Sequence, residues 1–83
     1  MQILWEKKAL RQMKRIPNKD HSSILAAVRG LAGWPDCRNV RALKDHEYQY
    51  RLRVGRYRIF FDVESEVNVL KIEEVKRRNE RTY

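Results

Sequence analysis

The stretch YQYRLRVGRYRIFFDV, residues 48–63, constrains the fold of this chain more than any other segment. Its apolar residues Tyr50, Leu52, Val54, Tyr57, Ile59 and Phe61 recur at the period of a half-buried β-strand. Gly55 falls at the first position of a two-residue turn, where a type II′ hairpin needs a positive φ. With Gly55 and Arg56 as the loop, Val54 pairs with Tyr57, Arg53 with Arg58, Leu52 with Ile59 and Arg51 with Phe60. One face of the hairpin is then apolar, and the opposite face carries Arg51, Arg53 and Arg58. Like charges directly opposite each other cost on the order of 0.2–1 kcal/mol. A polyanion lying on that face reverses the sign.

The charge balance agrees with such a partner. The chain has 83 residues, a formal net charge of +8 and 36% charged residues, so it attracts phosphate in a salt-dependent way. That length makes one domain, residues 1–83, with no surplus for a second. The cations are also sorted from the acids. Arg51, Arg53, Arg56 and Arg58 have no acid among them, and Lys76, Arg77, Arg78 and Arg81 crowd the C-terminal end, whereas Asp62, Glu64, Glu66, Glu73 and Glu74 cluster elsewhere. The single Cys37 cannot form an internal disulfide, which fits a reducing cytoplasm. No apolar run approaches the ~18 residues of a membrane span, and MQILWEKKAL lacks the apolar core of a signal peptide.

Around the hairpin the pattern predicts a short strand over Gln2–Trp5 and a helix from Glu6 to Ile16, stopped by Pro17. A second helix is expected from an Asn18 cap, burying Ile24, Leu25, Val28, Leu31 and Ala32 and ending near Gly33 and Pro35. Residues 34–40 read as a polar connector, 44–47 as a loop, and Val67–Val75 as a further strand whose alternation is weak. The order β, α, α, then strands predicts an α+β domain with the helical pair on one sheet face. The other face is left to solvent or a ligand.

Four arginines, Arg51, Arg53, Arg58 and Arg77, are therefore expected to converge there. Guanidinium forks hold phosphate bidentately and stabilise charge developing on it. The competing arrangement is a solvated face whose arginines pair with Asp62, Glu73 or Glu74. Tyr83 supplies an aromatic beside the basic cluster, the kind of side chain that stacks an unpaired base. His46 and Glu47, in the loop leading into the hairpin, are candidate proton acceptors or simply a polar loop. His21, in the first turn of a helix, reads as structural. One Cys and two His at unrelated spacings make no metal site.

Taken with the order β-α-α-β-β-β, the segments LKDHEYQYRLRVGRYRIFFDV and IEEVKRRNERTY resemble the RelE toxins of the RelE/ParE superfamily, and the likeness runs over nearly the whole chain. It implies an antiparallel twisted sheet packed on an N-terminal two-helix hairpin. It also implies a monomeric type II toxin, silenced within a hetero-oligomeric complex by a cognate antitoxin. Such a toxin occupies the A site of the 70S ribosome and cuts translated mRNA without metal or cofactor, by attack of a 2′-hydroxyl on the adjacent phosphate. Position by position, Arg58 and Arg77 match arginines that stabilise the phosphate and transition state, and Tyr83 matches a tyrosine that stacks the base. Arg51 and Gln49 fall where the best-known member has lysines, one of them implicated as the base. Arg53, Arg56, Lys76, Arg78 and Arg81 are expected to contact RNA with Gln49. Neither glutamine nor arginine accepts a proton usefully at ordinary pH. That leaves Tyr83, His46 or Glu47 as the base, or a reaction that relies mainly on positioning and charge with the ribosome supplying alignment, and the last is the expectation. The alternatives are a ParE-type toxin, which shares the fold and poisons DNA gyrase, and a non-catalytic RNA-binding member.

Overall fold

The computed structural model describes residues 1–78. Its elements are β1 (Gln2–Trp5), α1 (Lys7–Met13), α2 (Asn18–Arg29), a 3-10 turn at Gly30–Gly33, β2 (Val40–Ala42), β3 (Tyr50–Val54), β4 (Tyr57–Glu64), a second 3-10 turn at Ser65–Val67, and β5 (Val69–Arg77). One five-stranded sheet has the order β1-β5-β4-β3-β2, with the helical pair over one face.

The hairpin has the expected register, with Val54 opposite Tyr57, Arg53 opposite Arg58, Leu52 opposite Ile59 and Arg51 opposite Phe60. Gly55 has the positive φ, 54°, that the turn demands. Two expectations about the sheet need correction. It is mixed rather than wholly antiparallel, since β1 runs parallel to β5, from Gln2 beside Val69 to Trp5 beside Ile72. The helices and three strands between them form the long crossover that parallel neighbours require. The second correction is β2, which begins at the last residue of the expected connector, Val40, and runs to Ala42, where no strand was expected. It is an edge strand paired with β3, and only Val40 is partly buried, so no alternation announces it.

Rows of residues cross the sheet beneath the helices. One runs Trp5, Ile72, Phe61, Tyr50, Ala42; the next runs Val75, Ile59, Leu52, Val40. Ala9 and Met13 of α1, Ile24 and Val28 of α2, and Leu31 close over them, and Phe61, Ile59, Leu70, Ile72 and Ile24 are fully buried. His21 ties the helices together by donating from Nε2 to the Met13 carbonyl at 2.7 Å.

Two details of β5 decide where its charged residues point. A β-bulge opposite Phe60 and Phe61 pairs Phe60 with Glu74 and Phe61 with Ile72, leaving Glu73 as the extra residue. Ile72 and Val75 thereby both face the core, although a regular strand would put them on opposite faces. Beyond the end of β1, the edge of β5 is closed by a side chain. Gln12 Oε1 accepts the Val75 N–H at 2.6 Å, and its Nε2 donates to Glu74 at 3.5 Å. Gln12→Leu orphans a donor at a position 4% exposed and is expected to cost about 1–3 kcal/mol, read from urea midpoints. A midpoint equal to wild type would remove Gln12 from this role.

Candidate nucleic-acid interface

The face away from the helices is a grid of cations with one aromatic, Phe60, and one buried acid, Glu74. Its first row crosses four strands as Arg41, Arg51, Phe60, Glu74, and the second runs Arg53, Arg58, Lys76. Arg51, Arg53, Arg58 and Arg78 line a cavity of about 200 Å³ beside Gly55. Arg78 is held there by its N–H, which donates to the Arg56 carbonyl at the hairpin turn. The Arg51 Nε is buried without a hydrogen-bond partner. Burial first, then the neighbouring charges of Arg41, Arg58 and Arg53, holds this guanidinium below its usual basicity.

The nearby acids leave the arginines of the grid without an ion pair. Glu74 meets Lys8 at 3.2 Å and, more loosely, Lys76 at 3.9 Å. Glu64 pairs with Lys71 at 2.8 Å. Asp62 accepts the Gln49 N–H at 2.8 Å and shares a side-chain hydrogen bond with Glu73. No ion pair among the described residues includes Arg41, Arg51, Arg53 or Arg58. A like-charged array whose four arginines form no ion pair with a carboxylate is built to receive an anion.

Burial, the Asp62 hydrogen bond and the Asp62 charge hold the Glu73 carboxyl above the usual 4.5. A carboxyl raised in the fold costs stability above its folded value, and acidification toward 4.5 relieves that cost. Glu73→Gln is therefore expected to be more stable than wild type at neutral pH, with the gap in urea midpoints closing as pH falls. A gap that stays constant with pH would contradict this.

The remaining expected site residues separate into three groups. Arg77 does not join the array, because the bulge turns it to the helix face opposite Tyr57. There it lines a different cavity, of about 400 Å³, with Lys19, Asp20, Ile24 and Arg56. Arg78 occupies the place on the arginine face that the sequence assigned to Arg77. Gln49 works within the sheet, its Oε1 accepting the Val63 N–H at 2.7 Å. Arg81 and Tyr83 lie outside the described residues.

His46 stacks on Phe60, with ring centroids 5.1 Å apart and planes within 13°, and Tyr48 packs against both. The Tyr48 N–H donates to His46 Nδ1 at 3.0 Å, so the neutral ring carries its proton on Nε2. In that arrangement neither ring nitrogen is open to take a proton from a ligand. Glu47 stays exposed beside Tyr48, whose phenol is pushed up by burial and then by the charges of Glu74 and Glu47. Sequence reasoning missed Arg41, which only the unpredicted strand β2 brings opposite Arg51. Among the described residues no cluster of three or more His, Cys, Asp or Glu could hold a metal ion, and no helix is long and apolar enough to cross a membrane.

No curated protein matches this sequence. Solved structures similar to the fold include the archaeal RelE-RelB complex from Pyrococcus horikoshii, at 24% identity and a TM-score of 0.79, covering 95% of this chain and 96% of that one. The isolated RelE toxin of Escherichia coli superposes with a TM-score of 0.81 at 13% identity, over 98% and 87% of the two chains. The RelBE2 toxin-antitoxin complex of Mycobacterium tuberculosis gives 0.77 at 19% identity, over 93% and 96%. The family model described as the ParE toxin of the type II toxin-antitoxin system parDE matches residues 3–82, nearly end to end. Its fold is similar to that of these RelE toxins, and by the family match the chain belongs to the ParE toxin family of type II toxin-antitoxin systems.

Proposed function

We propose that this toxin is a ribosome-dependent endoribonuclease that cuts translated mRNA in the A site by metal-independent attack of a 2′-hydroxyl on the adjacent phosphate. The observation that carries the reading is the arginine face, where Arg51, Arg53 and Arg58 form no ion pair with a carboxylate among the described residues. In this reading Arg51 and Arg58 grip the scissile phosphate and stabilise the charge that grows on it, and Arg53 and Arg78 hold the flanking backbone. Tyr83 keeps the base-stacking role that the resemblance implies. The arginines offer no proton acceptor and His46 has its Nδ1 occupied, so cleavage rests mainly on alignment by the ribosome and on charge stabilisation, with the 2′-hydroxyl proton passing to Glu47, Tyr83 or water and the leaving 5′-oxygen taking a proton from water. A cognate antitoxin silences the toxin, as the RelE-RelB and RelBE2 complexes among its structural relatives suggest. Action in the cytoplasm follows from a ribosomal target.

The family model favours a second reading, inhibition of DNA gyrase. Induction of the chain in bacteria separates the two. The nuclease reading predicts immediate arrest of amino-acid incorporation while thymidine incorporation continues. Prompt arrest of thymidine incorporation with gyrase-linked DNA breaks would overturn it.

A further inference from the structure

The arginine grid does not stop at the hairpin. Arg41, on the edge strand β2, lies directly opposite Arg51 and is exposed, so the face holds two cross-strand arginine pairs, Arg41 with Arg51 and Arg53 with Arg58, in successive rows. Edge strands often carry a cation to discourage pairing with another chain, and an isolated exposed lysine or arginine would satisfy that need. Placement directly opposite a second, partly buried arginine is not required for it and works against the fold. The Arg51 Nε has no partner, and no carboxylate pairs with either side chain among the described residues. Both rows thus lack the same thing, an anion between two guanidinium groups.

We infer that Arg41 is an RNA phosphate contact, and that with Arg51 it forms a second phosphate clamp that extends the track from the hairpin onto β2. The inference rests on the endoribonuclease reading and adds to it a binding residue outside the hairpin and C-terminal positions. Arg41 acts on substrate position and grip, one row away from the Arg53 and Arg58 pair, and takes no part in bond making or breaking.

The test is the affinity of the toxin for an unstructured single-stranded RNA oligonucleotide, measured by fluorescence anisotropy over a series of salt concentrations. Wild type, Arg41→Ala, Arg41→Lys and the control Arg11→Ala, a substitution on α1, are compared. Each phosphate contact on a single strand contributes about 0.7 to the slope of log affinity against log salt. Arg41→Ala is expected to lower the slope by about that amount, Arg41→Lys to keep it, and Arg11→Ala to leave it unchanged. The melting temperature of Arg41→Ala should equal or exceed that of wild type, because a like-charge pair has been removed. An unchanged slope for Arg41→Ala, a slope lowered equally by Arg11→Ala, or a lowered melting temperature would overturn the inference and leave the nuclease reading standing. Wild-type protein with no salt-dependent RNA affinity would likewise overturn the inference, whereas the nuclease reading stands or falls separately, on cleavage of ribosome-bound message.

Discussion

Arg58→Ala is expected to slow mRNA cleavage on programmed ribosomes by about 100- to 1000-fold, the loss that follows removal of one fixed donor from a developing negative charge. Arg58 sits between Arg53 and Lys76 in its row and lines the arginine cavity, so its removal takes the central cation from the grid. The same substitution relieves a cross-strand like-charge contact, and the melting temperature should therefore hold or rise. Opposite movement of activity and stability is the signature of a residue placed for a ligand. Cleavage at the wild-type rate would remove Arg58 from the chemistry, and loss of activity together with a fall in melting temperature would make it a structural residue.

Phe61→Ala is expected to cost about 3–5 kcal/mol, the range for deleting a large buried aromatic side chain. Phe61 is fully buried; its ring stacks on Tyr50 at 5.4 Å and meets the edge of Trp34 at 5.5 Å, while Trp34 packs on Tyr50 at 4.5 Å. A domain of this size has only ~4–12 kcal/mol of net stability, so the variant should be substantially unfolded at growth temperature. Urea denaturation of Phe61→Ala beside Phe61→Leu measures the loss, and the leucine variant, which refills most of the space, should recover a large part of it. A loss below about 1 kcal/mol for the alanine variant would show that the three-ring cluster does not organise the core.

The hairpin was legible because two independent signals agree there. Strict alternation fixes which residues face inward, and Gly55 fixes the turn, so the register of every pair follows. The helical pair was legible from its apolar spacing and from Pro17, but Leu25 and Ala32, expected on the buried side, are exposed, Asn18 lies inside α2 rather than capping it, and α1 ends at Met13 rather than Ile16. Two places escaped the same reasoning. In β5 the sequence Ile72-Glu73-Glu74-Val75 breaks the period of two, and only the bulge lets both apolar residues reach the core. That extra residue turns Arg77 to the helix face and brings Arg78 to the arginine face, a reversal that no charge pattern announces. In β2 three residues with one partly buried side chain give too short a window for any period. Arg41 was invisible for that reason alone.

The engagement of polar side chains was the least legible layer. Gln49 and His46 look free in a loop-to-strand segment, yet Gln49 bonds the Val63 N–H and His46 accepts the Tyr48 N–H while stacking on Phe60. Such contacts depend on where distant strands bring a donor, and sequence spacing carries no trace of them. The separation of acids from arginines, by contrast, was visible at once. It survives in three dimensions because Glu74, Glu64 and the Asp62 and Glu73 pair find partners of their own.

Primer extension on a message under translation, with and without the purified toxin, tests the central claim most directly. New 3′ ends should appear at codons in the A site of stalled ribosomes, and the same RNA without ribosomes should remain intact. An unbroken message in the presence of toxin and active ribosomes would contradict the assignment of the arginine face to mRNA cleavage.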